Sequence, residues 1–304
     1  MKPFATARLV LVSVILFLSL AGAAFPAELW TEDAKAAMAQ AAKEKKDLLI
    51  DFTGSDWCGW CIKLDKEVFS QEAFSAEAAK NFVFLKLDFP RKKALPDEVK
   101  KQNAEWQARF QVSGYPTIIL ADAEGRPYAK TGYRPGGPEG YLKHLAELQG
   151  MRAKRDAALA KAGGLEGAER AKCLDEALSA VGVEMALASY GEQVAEIIKL
   201  DADGKAGLKA KYEGAQSLRK VEATLQGGKF DEAMALADEA LKSSGNSGET
   251  AQGLLFLKGV ALFQKGDKAG CGKVMEEALK AAPESRRAAQ IRKIIEAVAK
   301  EAGK

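Results

Sequence analysis

Short apolar runs alternate with amphipathic segments between residues 30 and 150. Nearly continuous apolar runs predict buried strands, and apolar positions spaced three or four apart predict helices with one buried face. The resulting order is α-β-α-β-α-β-β-α, in which the second helical element consists of two successive pieces. Strands are predicted at 48–52, 82–88, 117–120 and 128–131, and helices near 34–41, 61–69, 73–80, 96–110 and 142–148.

From residue 151 onward the pattern changes to helices alone, rich in alanine, leucine and charged residues. Segment 228–241 is repeated as 266–279, with a fainter copy at 166–178, and each copy predicts the second helix of a helical hairpin. First helices are predicted at 216–225 and 254–263. The pattern resembles the tetratricopeptide repeat, although its 38-residue spacing is longer than usual and the consensus tryptophan is absent. An all-α helical-repeat domain is therefore predicted for 151–304.

The first 24 residues have the order of a secretory signal. Lys2 and Arg8 precede an apolar run at 9–20, and small residues follow at 21–24. The run is shorter than the roughly 20 residues that a membrane-spanning helix needs. We therefore expect a signal peptide at 1–24, a thiol-bearing α/β domain at 25–150, and an exported, most simply periplasmic, protein with no membrane span after cleavage.

Composition excludes several classes of function. The formal net charge of the 304 residues is only +3, and no basic run with interleaved aromatic residues is present, so nucleic acid is not an expected partner. His144 is the only histidine. Metal sites rich in histidine and Ser-His-Asp catalysis are therefore disfavoured, and no metal is expected.

The chemistry of the chain centres on Cys58-Gly59-Trp60-Cys61, where a predicted strand passes into a predicted helix. Unpaired N–H groups at a helix start favour a thiolate, the reactive form of cysteine. A structural zinc site needs four ligands, but Cys173 and Cys271 lie far away on predicted helices. Ile62 after the pair argues against haem attachment. A Cu(I) site on the two thiolates remains an alternative.

A second motif, Tyr115-Pro116-Thr117, opens a predicted buried strand. Proline lacks the N–H that a mid-strand residue donates, so it suits a cis peptide at a strand start. Together with Trp57-Cys58-Gly59-Trp60-Cys61, this motif resembles the thioredoxin family over residues 30–150, and is most similar to exported bacterial thioredoxin-like proteins. The resemblance implies an α/β thioredoxin fold, a central mixed sheet flanked by helices, followed by the all-α helical-repeat domain.

The resemblance also implies roles for individual residues. Cys58 would attack a substrate disulfide, Cys61 would resolve the mixed disulfide, and Asp51 would exchange a proton with the resolving thiol. Asp51 lies seven residues before Cys58, where thioredoxins usually have six, and this leaves Asp56 as a rival. Substrate contacts are expected from Trp57, Gly59, Trp60, Tyr115 and Pro116.

The expected function is an exported thiol–disulfide oxidoreductase that reduces or isomerises disulfides of other exported proteins. It would exchange electrons with a thiol donor or acceptor and need no cofactor beyond the Cys58–Cys61 disulfide. The helical repeats would bind a protein partner. One alternative is a scaffold in which the repeats bind and the thioredoxin fold is not catalytic; another is a Cu(I)-binding dithiol protein. Cys173 and Cys271 are expected to be buried small hydrophobes, with a disulfide between them as the alternative.

Overall fold

A computed structural model describes residues 29–244 and 248–302 of the chain. The signal peptide predicted at 1–24 lies outside these residues. No described helix is long and apolar enough to cross a membrane.

The first half of the protein is built around a five-stranded mixed sheet with the order β1-β3-β2-β4-β5. Strands β1, β3 and β2 are parallel, whereas β4 pairs antiparallel with β2, and β5 antiparallel with β4. The expected thioredoxin fold is confirmed. Strand β1 is not among the predicted elements. It has only two residues, which is too short to show an alternation of apolar and polar positions. The strands are β1 Trp30–Thr31, β2 Asp47–Thr53, β3 Phe82–Asp88, β4 Thr117–Ala121 and β5 Pro127–Thr131.

Five helical segments flank this sheet. Helix α2 continues directly into a π-helical turn, Asp65–Phe69, so the helix that begins beside the cysteine pair reaches Phe69, as its apolar spacing predicts. The helices are α1 Ala34–Glu44, α2 Gly59–Leu64, α3 Glu72–Ala78, α4 Asp97–Arg109 and α5 Gly137–Ala162.

The central strands are buried on both faces, and alternate residues belong to different cores. One face, carrying Leu48 and Ile50, packs beneath α1 and α4. The opposite face, carrying Leu49 and Phe84, packs beneath α2, α3 and α5. Asp51 is two residues beyond Leu49 and therefore lies on this second face, on the side of the sheet that α2 covers.

Helix α5 runs without a break through the boundary predicted at residue 150. Its first half packs on the sheet, and its second half packs against α6, so that one core extends from Leu49 in the sheet to Tyr212 in α9. A separate core lies between α9 and α13. The remaining helices are α6 Gly167–Val181, α7 Val183–Ser189, α8 Gly191–Leu200, α9 Leu208–Gln226, α10 Phe230–Ser244, α11 Gly248–Gln264, α12 Lys268–Ala281 and α13 Ala288–Ala302.

From α9 onward each described helix packs against the next one along the chain. Small residues stand where the helices approach closely: a Cβ on Gly259 of α11 would come within 2.7 Å of Met275 in α12. The predicted first helices at 216–225 and 254–263 lie in α9 and α11. The second helices predicted from the two clear copies correspond to α10 and α12, and the one from the fainter copy corresponds to α6. Cys173 and Cys271 are buried in different cores and both are free thiols, so the alternative of a disulfide between them is wrong.

Candidate active site

Cys58 and Cys61 lie at the beginning of α2 and form a disulfide, with their Cα atoms 5.2 Å apart. Cys58 is the N-cap residue, and its Sγ accepts a hydrogen bond from the Cys61 N–H at 3.2 Å. Cys58 is 7% exposed and Cys61 is 3% exposed. Both cysteines are therefore buried in the disulfide form. Gly59, between them, is exposed as the first residue of the helix.

Asp51 is a buried carboxylic acid on the sheet face below α2. Among the described residues its Oδ1 atom has no hydrogen-bond partner. Burial raises the pKa of the Asp51 carboxyl from 3.8 to about 7, and the positive charge of Lys86, its neighbour on β3, works in the opposite direction. A carboxyl group with this pKa can both take up and release a proton near neutral pH.

The rival carboxylate, Asp56, is already engaged elsewhere. Its two oxygens accept hydrogen bonds from the backbone N–H groups of Arg91, Lys92 and Lys93, at 2.9, 2.6 and 3.2 Å. The bond from the Arg91 N–H is the largest of the effects that lower the pKa of Asp56. A carboxylate held in its charged form by three donors is a poor proton acceptor. The pKa of Asp51 is therefore raised and that of Asp56 lowered, so the two carboxyl groups differ in their readiness to take up a proton.

Trp57 forms a wall beside the disulfide. Its indole N–H donates to the Phe89 carbonyl at 2.8 Å, and its ring meets Tyr115 edge-on with 5.8 Å between centroids. Gly54 makes room for the indole, since a Cβ at that position would lie 2.5 Å from the ring. Ser55 donates to the Asp88 carboxylate through both its N–H and its hydroxyl. Residues of the longer segment before Cys58 therefore hold Trp57 in place and bind the end of β3 through Asp88.

Trp60 projects from the other side of the pair and is 58% exposed. Its ring packs against Tyr133 with 5.1 Å between centroids, and the Lys63 ammonium lies 5.2 Å from the Trp60 ring centre and 5.0 Å from that of Tyr133. Tyr133 is itself held by a hydrogen bond from its hydroxyl to Glu67 at 2.7 Å. Trp60 therefore presents an aromatic surface to solvent next to the disulfide, and its ring is held in place by packing against Tyr133.

The Tyr115–Pro116 peptide bond is cis, and β4 begins at the next residue. The Thr117 hydroxyl donates to the Gly114 carbonyl at 2.8 Å, which closes the turn before the strand. The Tyr115 hydroxyl accepts a hydrogen bond from the Gln107 amide at 2.7 Å. Through the contact between Tyr115 and Trp57, this turn is brought to the same side of the molecule as the cysteine pair.

Known proteins similar to this chain have thioredoxin-like domains or act on disulfide bonds. Residues 34–148 match the family model described as a thioredoxin-like domain. Over 126 residues the chain is 32% identical to the disulfide bond reductase DsbH of Chlamydia pneumoniae, covering 41% of this chain and 76% of that protein. The chain belongs to the thioredoxin family. Family membership and the disulfide-bonded CXXC pair together make this thioredoxin-family protein a thiol–disulfide oxidoreductase.

Two further proteins are similar to part of this thioredoxin-family protein. The thioredoxin-related protein DsbJ of Chlamydia pneumoniae is 27% identical over 103 residues, or 34% of this chain and 30% of DsbJ. A solved structure of a DsbH oxidoreductase is 33% identical and covers 40% of this chain and 85% of that chain, with a TM-score of 0.38. These matches span less than half of the chain.

Several residues of the site carry no local sequence signal. Arg91 and Phe89 reach Trp57 from the loop after β3, and Tyr133 reaches Trp60 from the segment after β5. They are more than 30 residues away from their partners along the chain, so only the sheet topology brings them together. Asp56 does carry a signal, because the segment between Asp51 and Cys58 is one residue longer than is usual in thioredoxins.

Proposed function

We propose that this protein is exported and that its reduced Cys58–Cys61 pair reduces or isomerises disulfide bonds of other exported proteins. The observation that carries the proposal is the cysteine pair at the start of α2, with the buried Asp51 carboxyl on the sheet face beneath that helix, whose Oδ1 atom has no hydrogen-bond partner among the described residues. The reductase name of DsbH, which is 32% identical, supports the reducing direction.

In the first step, the Cys58 thiolate attacks one sulfur of the substrate disulfide. The substrate S–S bond breaks, a mixed disulfide forms through Cys58, and the released substrate thiolate takes a proton from water. The start of α2 stabilises the attacking thiolate, because the unpaired N–H groups of a helix start favour negative charge there.

In the second step, the Cys61 thiol gives its proton to the Asp51 carboxylate and attacks the Cys58 sulfur. The mixed disulfide breaks, the second substrate thiolate leaves, and the protein is left in the disulfide form seen in the structure. Two electrons have passed to the substrate. A thiol donor returns them to the protein, so the proposed cycle uses no redox group besides the cysteine pair.

Substrate contacts are proposed on both sides of the pair. The exposed ring of Trp60 and the neighbouring Tyr133 provide apolar surface. Gly59 has no side chain, so it leaves the disulfide accessible from solvent. The backbone of Tyr115, before β4 begins, would pair with an extended substrate segment as in β-strand addition. Pro116 fixes the direction of that backbone beside the disulfide.

The test is reduction of insulin disulfides with dithiothreitol as the electron donor. Wild-type protein should accelerate the reaction, and Cys58→Ser should reduce it to the uncatalysed rate. Cys61→Ser should accumulate mixed disulfides, because no resolving thiol remains, and these can be isolated and identified. Equal rates for wild type and Cys58→Ser would contradict the enzyme proposal and favour the scaffold alternative.

A further inference from the structure

Three consecutive basic residues lie beside the cysteine pair. Arg91, Lys92 and Lys93 form an exposed bend in the loop between β3 and α4, which we call the basic strip. The loop enters this bend from Phe89, whose N–H donates to the Thr53 carbonyl at 2.8 Å and whose carbonyl accepts the Trp57 indole bond. The start of the strip is thus fixed to the strand that leads to the cysteines.

The backbone of the basic strip is held by Asp56. All three N–H groups turn inward to the Asp56 carboxylate, at 2.6 to 3.2 Å. The three side chains therefore extend outward, and each of these residues is exposed. Asp56 belongs to the segment that is one residue longer than the usual thioredoxin spacing, so the added length fixes a cationic loop next to the site.

The basic strip contacts the wall of the active site. The Arg91 guanidinium lies 3.8 Å from the centre of the Trp57 ring, close enough for a cation–π interaction. Trp57 directly precedes Cys58. The Arg91 charge therefore lies against the residue that directly precedes the attacking cysteine.

The positive charge of the strip is not balanced by side-chain ion pairs. In the part of the chain that the structure describes, none of the three side chains forms a salt bridge, whereas Lys63 on the other side of the site faces Glu67 at 3.9 Å. The Asp56 carboxylate offsets one of three charges. The surface next to Trp57 therefore keeps a net positive charge that an anionic partner can neutralise.

We propose that the basic strip binds carboxylates in the substrate segment next to the disulfide, so that the enzyme prefers polypeptides with acidic residues flanking the reacting cysteine. This inference rests on the proposed function and specifies its substrate class. Binding of an anionic segment to the strip places the substrate disulfide over Cys58. It acts mainly on the rate of productive encounter, and weakens with salt.

The experiment compares two internally quenched peptides that each contain one disulfide and differ only in glutamate or glutamine at the flanking positions. With dithiothreitol as donor at low ionic strength, wild type should show a kcat/KM about tenfold higher for the glutamate peptide. In Lys92→Gln/Lys93→Gln the ratio between the two peptides should fall to about one. At about 1 M salt, where the Debye length is about 3 Å, the wild-type ratio should also approach one.

The matched control is Lys220→Gln/Lys273→Gln, which removes the same charge from exposed positions on α9 and α12. It should keep the wild-type ratio. The inference is overturned if wild type treats the two peptides alike, if the strip variant keeps the preference, or if the control loses it equally. Failure of the proposed function is distinguishable, because Cys58→Ser would then process both peptides as fast as wild type.

Discussion

At the scale of single residues, the unusual feature of the site is a carboxylic acid that is buried in the sheet, with only 5% of its surface exposed. Asp51 interrupts the apolar face of β2, and its Oδ1 atom has no hydrogen-bond partner among the described residues. An unpaired buried polar group destabilises the fold. We infer that this position is occupied by aspartate for proton exchange with Cys61, since an apolar residue would pack there at lower cost.

Replacement of Asp51 by asparagine should change how stability depends on pH. Because burial raises the pKa of Asp51 to about 7 from an ordinary value of 3.8, the folded state holds its proton more tightly than the unfolded state. The Asp51 contribution to the free energy of unfolding is therefore fully present below pH 4 and is lost as pH rises to about 7. Urea unfolding of the disulfide form should show wild type losing about 2–4 kcal/mol relative to Asp51→Asn over this range.

The control for this experiment is Asp56→Asn, since the pKa of Asp56 is lowered and not raised. Its contribution has the opposite sign, and is lost only as pH falls through the acid range. If the difference between wild type and Asp51→Asn stayed constant from pH 4 to pH 8, the buried carboxyl would not titrate as described.

At the scale of elements, a buried arginine connects the sheet to the helices that follow it. Arg155 of α5 is 1% exposed, and its guanidinium donates to the Asp122 carboxylate at 2.9 Å and to the Tyr190 hydroxyl at 2.8 Å. Tyr190 in turn donates to the Pro127 carbonyl at 2.7 Å. One side chain therefore joins the β4–β5 turn, α5 and the segment between α7 and α8.

Arg155→Met should destabilise the protein by about 3 kcal/mol, because among the described residues the buried Asp122 carboxylate keeps only the more exposed Arg126 as an ion-pair partner and the buried Tyr190 hydroxyl loses its hydrogen bond from Arg155. The measurement is equilibrium unfolding in urea. Lys154→Met is the matched control, since the neighbouring lysine is exposed and the same type of side chain is introduced. Equal losses in the two variants would show that the Arg155 network does not stabilise the junction.

The same junction shows what the sequence could and could not predict at this scale. The strands predicted at 48–52, 82–88, 117–120 and 128–131 correspond to β2 to β5, because their apolar spacing reports burial directly. The helix predicted at 142–148 is only part of α5, which continues to Ala162. The cysteine pair and Pro116 can be identified from the sequence. Two thiols three residues apart follow a predicted strand, and a proline stands directly before another. Partners such as Arg91 and Tyr133 were not, because their positions depend on which loops the sheet order brings together.

At the scale of the whole molecule, the change in composition at residue 151 does not coincide with any break in packing. Helix α5 crosses this position, and Arg155, Ala158 and Ala162 are buried in its second half. The core below the sheet continues through α6 and α8 to Tyr212, and a different core begins with Val221. Composition reports local helix preference, whereas the extent of a core depends on contacts between distant segments.

We therefore predict that the smallest stable unit containing the cysteine pair extends beyond the family match at 34–148. A chain of residues 29–150 should have a free energy of unfolding several kcal/mol lower than one of residues 29–207, and should unfold at lower urea concentration. It lacks Arg155 and the apolar residues of α6 to α8 that extend the core below the sheet. Both chains retain the cysteines and the sheet, so the difference isolates the contribution of the helices. The longer chain should unfold in one transition. Matching urea midpoints for the two chains would place the boundary at 150, as composition alone suggests, and would make the helices from α6 onward an independent unit.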